Sequence, residues 1–245
     1  MTERAPRAGQ RAEARTKAQI VEAAILILDE EGEAALTFRT LAARLATGPG
    51  AIYWHVTNKA DLLGEATDHV VAQAVTGIGA SAEEPEAEIR AIALALFEAF
   101  DAHPWIGAQL SLAPGRTGML QVFEAIGSRL QPLGVPQTAR FQAWSALVNY
   151  IFGVAAQNAD NARRRRGALT REALLRTIAE GWKQLNVTDY PFLHEIAEQL
   201  PVHDDREQFL AGIDLVLAGI YKEERDPSRP SRARLLERVR QPRER

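Results

Sequence analysis

Residues Leu36 to Asp61 read LTFRTLAARLATGPGAIYWHVTNKAD. Thr37 is placed to cap a short helix whose Leu41 and Leu45 share one face at i, i+4 spacing. Ala46-Thr47-Gly48 makes a turn, Thr47 is placed to cap the next helix, and Pro49 suits that helix's first turn. This third helix ends in Tyr53-Trp54-His55-Val56. Asn58 opens a further helix, with Asp61 three residues on as in a capping box. Upstream, from about Thr16 to Glu31, Ile20, Ala24 and Leu28 share a face with Val21 and Ile25 beside them, and Gly32 ends the run. Apolar-faced helices with such short connections have the layout of a helix-turn-helix.

Outward from this stretch nearly every segment favours helix, because Ala, Leu, Glu and Arg dominate and β-branched runs are absent. The fold expected is all-α, with a three-helix helix-turn-helix domain followed by a larger helical domain. The helix opened by Asn58 carries Leu62, Leu63, Ala66 and Val70, and the weak region 77–85 follows it. Further helices are expected at about 86–103, from Trp105, and at about 116–130, with Pro132-Leu133-Gly134 as a break. A long helix at about 137–158 precedes a loop at 161–168 holding Arg163 to Arg166, and helices at about 170–185, 191–200 and 206–221 complete the chain. The expected organisation is an arm at 1–15, a reader domain at 16–65, a second domain at 66–222 and a tail at 223–245.

The chain has no cysteine, so it has neither disulfides nor Cys-ligated metal, which fits a reducing cytoplasm. The first fifteen residues lack the apolar run of a secretory signal. The most apolar run, Ile89 to Phe100, is interrupted by Arg90 and Glu98 and reads as a buried helix, so no membrane span is expected. The formal net charge of -3 does not announce nucleic-acid binding. Positive charge is instead local. Arg4, Arg7, Arg11, Arg15 and Lys17 lie near the start, and eight arginines lie from Arg225 onward. Both stretches read as basic arms, and a solvated tail without a partner serves equally well for the second.

Tyr53, Trp54 and His55 are consecutive, so on a helix they point in directions about 100° apart and cannot all be core. A Tyr hydroxyl or a His N–H turned outward is a good phosphate donor. Lys59, just inside its helix, opposes the helix dipole, and an anion there would reverse the sign.

Residues 16–65, about one fifth of the chain, resemble the N-terminal domain of TetR-family transcriptional repressors, with Tyr53-Trp54-His55-Val56 and Asn58-Lys59 close to the tetracycline-repressor branch. Thr37-Phe38-Arg39, Leu41-Ala42, Ile52 and Asp61-Leu62-Leu63 carry the rest of the likeness. The resemblance implies that Arg39 reaches a base edge or phosphate and Thr37 a phosphate. It places Thr47, Gly48, Pro49, Gly50 and Ala51 in the groove. It gives Tyr53, Trp54, His55 and Lys59 the role of clamping the DNA backbone, with part of Trp54 packed inward. The Gly48-Pro49-Gly50 start departs from the pattern by offering few side-chain donors. Side-chain readout then falls mainly to Arg39, with thymine methyls, the N-terminal arm and DNA shape supplying the rest.

The resemblance further implies a cytoplasmic homodimer on a palindromic operator, joined by a four-helix bundle. The best bundle helices are 137–158 and 206–221. Trp144, Leu147, Ile151, Phe209, Ile213 and Leu217 would be buried between subunits or within one chain. It also implies a small organic effector, for which Phe97, Phe100, His103, Trp105, Phe123, Trp144, Asn149 and Phe152 are candidate lining residues. Effector binding would shift the helix near 86–103 and lever the fourth helix through residues 66–75. Tetracycline itself is not supported, because the two metal-binding histidine positions of its repressor fall on Val75 and near Leu110. No cofactor or enzyme motif is present: the five histidines lack metal spacing, and His203-Asp204-Asp205 reads as a helix cap. The alternative reading is an activator, or a ligand-binding dimer with weak sequence-specific DNA binding.

Overall fold

The computed structural model describes residues 16–78, 84–109, 115–164 and 170–225, and these residues are helical and contain no strand. Helices α1 (Lys17–Glu31), α2 (Phe38–Arg44), α3 (Pro49–Tyr53) and α4 (Lys59–Val75) come first. They are followed by α5 (Pro85–Ala102), α6 (Thr117–Arg129), α7 (Gln137–Arg164), α8 (Arg171–Lys183), α9 (Pro191–Ile196) and α10 (Asp205–Arg225). Short 3-10 turns lie at Glu33–Ala35 and Ile106–Ala108. The basic arm at 1–15 and most of the tail lie outside the described residues, and α10 carries the chain past the expected tail boundary at 223.

The local signals act as their chemistry dictates. Thr16 caps α1 in a full capping box with Gln19, and Gly32, at φ 81° and ψ 175°, takes an extended positive-φ conformation open to glycine and ends it. The expected loop at 161–168 is corrected in its first part. Helix α7 runs on to Arg164, and Arg163 pairs with Asp160 one turn back. Arg165 and Arg166 lie outside the described residues.

One apolar core runs through both parts of the chain. Ile20, Ala24 and Leu28 of α1 join Leu41, Ile52 and Leu62, and the core continues through Ile89, Leu96 and Phe100 into Val122, Leu147, Phe209 and Ile213. Helix α4 is continuous across the expected boundary at 65/66, so it belongs to the reader and to the second domain alike. Helix α5 packs on α4, α6, α7 and α10 and is the centre of the second domain. Within that domain Arg129 of α6 pairs with Glu88 of α5 at 2.8 Å, with both side chains nearly buried.

Two interhelical approaches depend on the absence of a side chain. A Cβ on Gly118 of α6 would stand 2.2 Å from the Asp68 carbonyl oxygen of α4. A Cβ on Gly212 of α10 would stand 1.8 Å from the hydroxyl of Tyr150, which donates to the Phe209 carbonyl at 3.2 Å. Gly118→Ala therefore has to push α6 off the α4 backbone. We expect it to lower stability by about 1–3 kcal/mol, as overpacked cores do, and a reversible thermal or urea melt checks this.

Candidate nucleic-acid interface

The turn of the helix-turn-helix is built by backbone. The Thr47 N–H turns back to the Ala42 carbonyl at 2.9 Å, closing α2 with Ala46 at φ 50°, the left-handed position that glycine usually fills. Thr47 therefore does not cap α3. Gly48 is its N-cap, with no side-chain bond, and Pro49 is the first helical residue. Helix α3 also ends earlier than expected, at Tyr53, so Trp54 and His55 lie in the turn that follows. The expectation that Trp54 packs partly inward is overturned, since the side chain is 88% exposed.

The other reader residues are held from below. Thr37 and Thr40 cap α2 reciprocally, the Thr40 N–H donating to Thr37 Oγ1 at 3.1 Å and the Thr37 N–H to Thr40 Oγ1 at 2.9 Å. Arg39 sits in the first turn of α2, exposed, with no hydrogen bond or ion pair to any described residue. Tyr53 stands edge-on to Phe38, ring centroids 4.5 Å apart, which fixes the ring while leaving the residue 58% exposed. Ile52 and Val56, by contrast, are buried in the core. Lys59 Nζ donates to the Glu33 carbonyl at 2.6 Å, tying the start of α4 to the 3-10 turn, and its other two N–H bonds meet no described residue. Thr37, Arg39, Gly48, Pro49, Gly50, Tyr53 and Trp54 are exposed and Thr47, Ala51, His55 and Lys59 half-buried, all on the helices and turns around α3.

Several acidic residues of the reader are engaged away from α3. Residues 16–65 hold four basic side chains against seven acidic ones, a net charge of -3, so the reader face depends on where each charge points. Glu30 takes Arg44 in a two-bond pair at 2.8 and 2.9 Å, which joins α1 to α2. Asp29 accepts from Trp105 Nε1 at 2.8 Å and lies 2.9 Å from His103 Nδ1. Arg39 and Lys59 are left as the exposed and half-buried cations beside α3.

A second cluster ties the reader to the rest of the chain, and nothing local in the sequence points to it. Arg116, just before α6, donates to Asp61 at 2.8 Å and to Glu65 at 2.6 Å, and Lys17 of α1 meets Glu65 at 2.7 Å. The guanidinium lies where a Cβ on Gly64 would stand, 2.7 Å from it. Asp68 accepts the Gly118 and Met119 N–H groups at 2.6 and 3.2 Å, binding the first turn of α6. Asp61 also departs from the expected capping box. Asn58 does accept the Asp61 N–H at 2.9 Å, but the carboxylate receives the Thr57 N–H at 3.1 Å, one residue outside the box. The Thr57 N–H, then the Arg116 guanidinium, hold the Asp61 carboxyl below its ordinary range.

Among the described residues the eight candidate lining residues are dispersed, with Phe97 and Asn149 in separate grooves. Phe97 stacks on Phe209 and Phe100 packs against Phe152 in the core. Trp105 is buried and, with His103, faces Asp29 of the reader. Phe123 and Trp144 meet edge to face, 5.1 Å between centroids. Asn149 lies in a surface groove of about 310 Å³ on α7 with Phe141, Gln142, Ser145 and Ala146. A second groove of about 330 Å³ is lined by Phe97, Asn158, Arg171 and the acidic and basic side chains at the start of α10. There Asp204 caps α10 by accepting the Glu207 N–H at 2.8 Å, as the sequence suggested for this cluster.

Comparison with known proteins agrees with this geometry. Residues 20–66 match the family described as bacterial regulatory proteins, tetR family, and residues 82–223 match the tetracyclin repressor-like C-terminal domain. An HTH-type transcriptional regulator of Saccharopolyspora erythraea is 30% identical over 84% of each chain. The solved structure of SCO7222, a TetR regulator of Streptomyces coelicolor, is 48% identical, with a TM-score of 0.76 over 84% of this chain and 98% of its own. ActR of Streptomyces coelicolor, solved in complex with actinorhodin, shares the fold at 23% identity, with a TM-score of 0.71 over 84% of this chain and 95% of its own. The chain belongs to the TetR family of transcriptional regulators, which are DNA-binding proteins and not enzymes.

Two outcomes follow for the reader. Ala46→Gly removes the cost of a left-handed non-glycine residue and is expected to raise stability by about 0.5–1 kcal/mol in a thermal melt. Because its carboxyl is depressed in the folded state, Asp61 stabilises the fold above the ordinary carboxylate range, and this is lost as pH falls through the depressed value. Urea melts at pH 7 and pH ~3 should show a larger loss for the wild type than for Asp61→Asn.

Proposed function

We propose that this TetR-family regulator is a homodimeric repressor that binds a palindromic operator and leaves it when a small organic effector binds the domain at 66–222. The observation that carries the reading is Arg39, unpaired among the described residues, beside exposed Tyr53 and Trp54, with His55, on a rigidly capped helix-turn-helix. Arg39 is free to take a guanine edge or a phosphate, and the Tyr and His groups suit the DNA backbone. The repressor role rests on the likeness of 82–223 to the tetracyclin repressor-like domain. The effector role rests on the same likeness and on ActR, a protein of this fold solved with actinorhodin.

The faces of α7 and α10 support the dimer, with a correction to the residues first considered. Leu147, Ile151, Phe209, Ile213 and Leu217 are buried within one chain, and Trp144 is half-buried with its indole N–H on the Phe123 carbonyl. The outward faces instead carry Phe141, 70% exposed, Ala146 and Gly153 on α7, and Ala211, Leu215, 75% exposed, Ala218 and Gly219 on α10. Small residues around two exposed apolar side chains allow close helix contact with a second copy.

Release then follows by linkage. A thousandfold loss of operator affinity requires an effector that favours the non-binding state by roughly 4 kcal/mol. The polar clamps on α4 come from Arg116 and the first turn of α6, so a shift of α6 turns the reader directly, alongside any shift of α5.

Fluorescence anisotropy on duplexes selected from a random pool tests the reading. The wild type is expected to yield a palindromic motif. Arg39→Ala should cost about 1–3 kcal/mol on that duplex and blur the motif. Deleting residues 1–15 should weaken binding to all duplexes and flatten the salt dependence. A pool that returns no motif would refute operator recognition, and a sharp motif with Arg39→Ala would remove Arg39 from base readout.

A further inference from the structure

Lys17 is the first residue of α1 and follows the basic arm at 1–15. A cation there opposes the dipole of its own helix, and the first turn holds no acid to offset it. The offset comes from α4. Lys17 Nζ meets Glu65 Oε2 at 2.7 Å. The other oxygen of that carboxylate, Oε1, accepts from Arg116 Nη1 at 2.6 Å. One side chain of α4 therefore holds the root of the arm with one oxygen and the residue before α6 with the other. By contrast Arg44–Glu30 lies within the reader, and Arg90–Asp214 and Arg171–Asp205 lie within the second domain. Glu65 is half-buried, and the Arg116 guanidinium packs where a Cβ on Gly64 would stand, so the second domain orients the carboxylate. Thr16 completes the root, its capping box with Gln19 fixing the chain where the arm joins α1.

The arm carries Arg4, Arg7, Arg11 and Arg15 against Glu3 and Glu13. The reading above gives it a share of the DNA contacts, and the present inference rests on that reading. We infer that Glu65 is a positioning residue that makes the arm's hold on DNA depend on the second domain. With Arg116 in place, Asp61 and Glu65 are matched by Arg116 and Lys17, and the arginines of the arm are left for phosphate. A shift of α6 that withdraws Arg116 leaves two half-buried carboxylates short of a partner beside the root of a basic segment. They then draw on the nearest cations, Lys17 and the arginines of the arm, in competition with DNA phosphate. Glu65 is also no longer held at Oε1, so the root loses its fixed direction. Charge and orientation act in the same sense, and the arm lets go when the α4–α6 joint opens. Lys17 belongs to the same electrostatic unit as Asp61, whose carboxyl the Thr57 N–H, then Arg116 and then Lys17 hold below its ordinary range. This route runs through α1 and is separate from the tilt of α3 on α4.

The loss of affinity on deleting residues 1–15 isolates the arm, because a tilt of α3 weakens the intact and the shortened protein alike. Anisotropy on the duplex that the wild type selects, at low and high salt, measures this loss for the wild type, Lys17→Gln, Lys17→Arg and Arg116→Gln. Thermal melts check that each protein is folded, and Lys17, exposed at a helix end, is replaceable without loss of the fold. The deletion is expected to cost the wild type and Lys17→Arg roughly tenfold, with a flatter salt dependence, and to cost Lys17→Gln and Arg116→Gln about threefold or less. An equal deletion loss in the wild type and Lys17→Gln would overturn the inference, since the arm would not need its tie to Glu65. So would a reduced loss in Lys17→Gln with an undiminished one in Arg116→Gln, because the arm would then be independent of the second domain. A wild type indifferent to the deletion takes the arm off the DNA and overturns the inference as well. A wild type that selects no motif is a distinct result: it removes the DNA-reading proposal, and this inference with it.

Discussion

The close approach of α4 and α6 is the constraint on which the rest of the structure depends. Helix α4 begins beside the reader turn, at Lys59, and ends in the second domain at Val75, so whatever holds α4 sets the reader's direction. Gly118 lets the α6 backbone reach the Asp68 carbonyl, and Gly64 opens the space that the Arg116 guanidinium fills. Asp61, Glu65 and Asp68 then bind that end of α6 through charge and backbone N–H groups. These side chains are half-buried, so their pairing is worth more than exposed ion pairs and still responds to acid. Aspartate 29, meeting His103 and Trp105, is a second tie between the same two parts.

Much of this was legible in the sequence where the determining interaction is local. The Thr37 and Asn58 caps, the stop at Gly32 and the apolar faces of α1 and α4 sit within a few residues of their partners, and the structure forms them as read. Misreadings arose where a contact competes over distance or by backbone alone. Thr47 looked like a cap, but its N–H closes α2 and Gly48 takes the cap position. Periodicity carried α3 through Val56, whereas the chain leaves the helix at Tyr53 so that Val56 can be buried and Trp54 turned outward. The Arg116 joint spans more than fifty residues in sequence and has no motif. On α7 and α10 the large apolar residues are drawn into the intrachain core, which leaves the small residues to face outward.

The reader itself combines rigidity with bareness. Buried Ile52 and Val56, the Phe38–Tyr53 edge contact and the Lys59–Glu33 bond fix the scaffold. What the scaffold presents is an arginine without a partner among the described residues, an exposed aromatic pair and a tip without side chains at its two glycines. Glu30 and Glu31 of α1 face Arg44, and Asp29 faces the second domain.

The central claim is that the α4–α6 joint holds the reader in one orientation. The chain has no cysteine, so Ala34→Cys places a unique spin label on the exposed turn between α1 and α2. Electron–electron distance measurement across the proposed dimer reads the separation of the two readers directly. The account predicts a single narrow distance for the otherwise wild-type protein and a broad distribution when Gly64→Ala displaces the Arg116 guanidinium. Equal widths in the two proteins would contradict it, and the absence of any intersubunit distance would contradict the dimer.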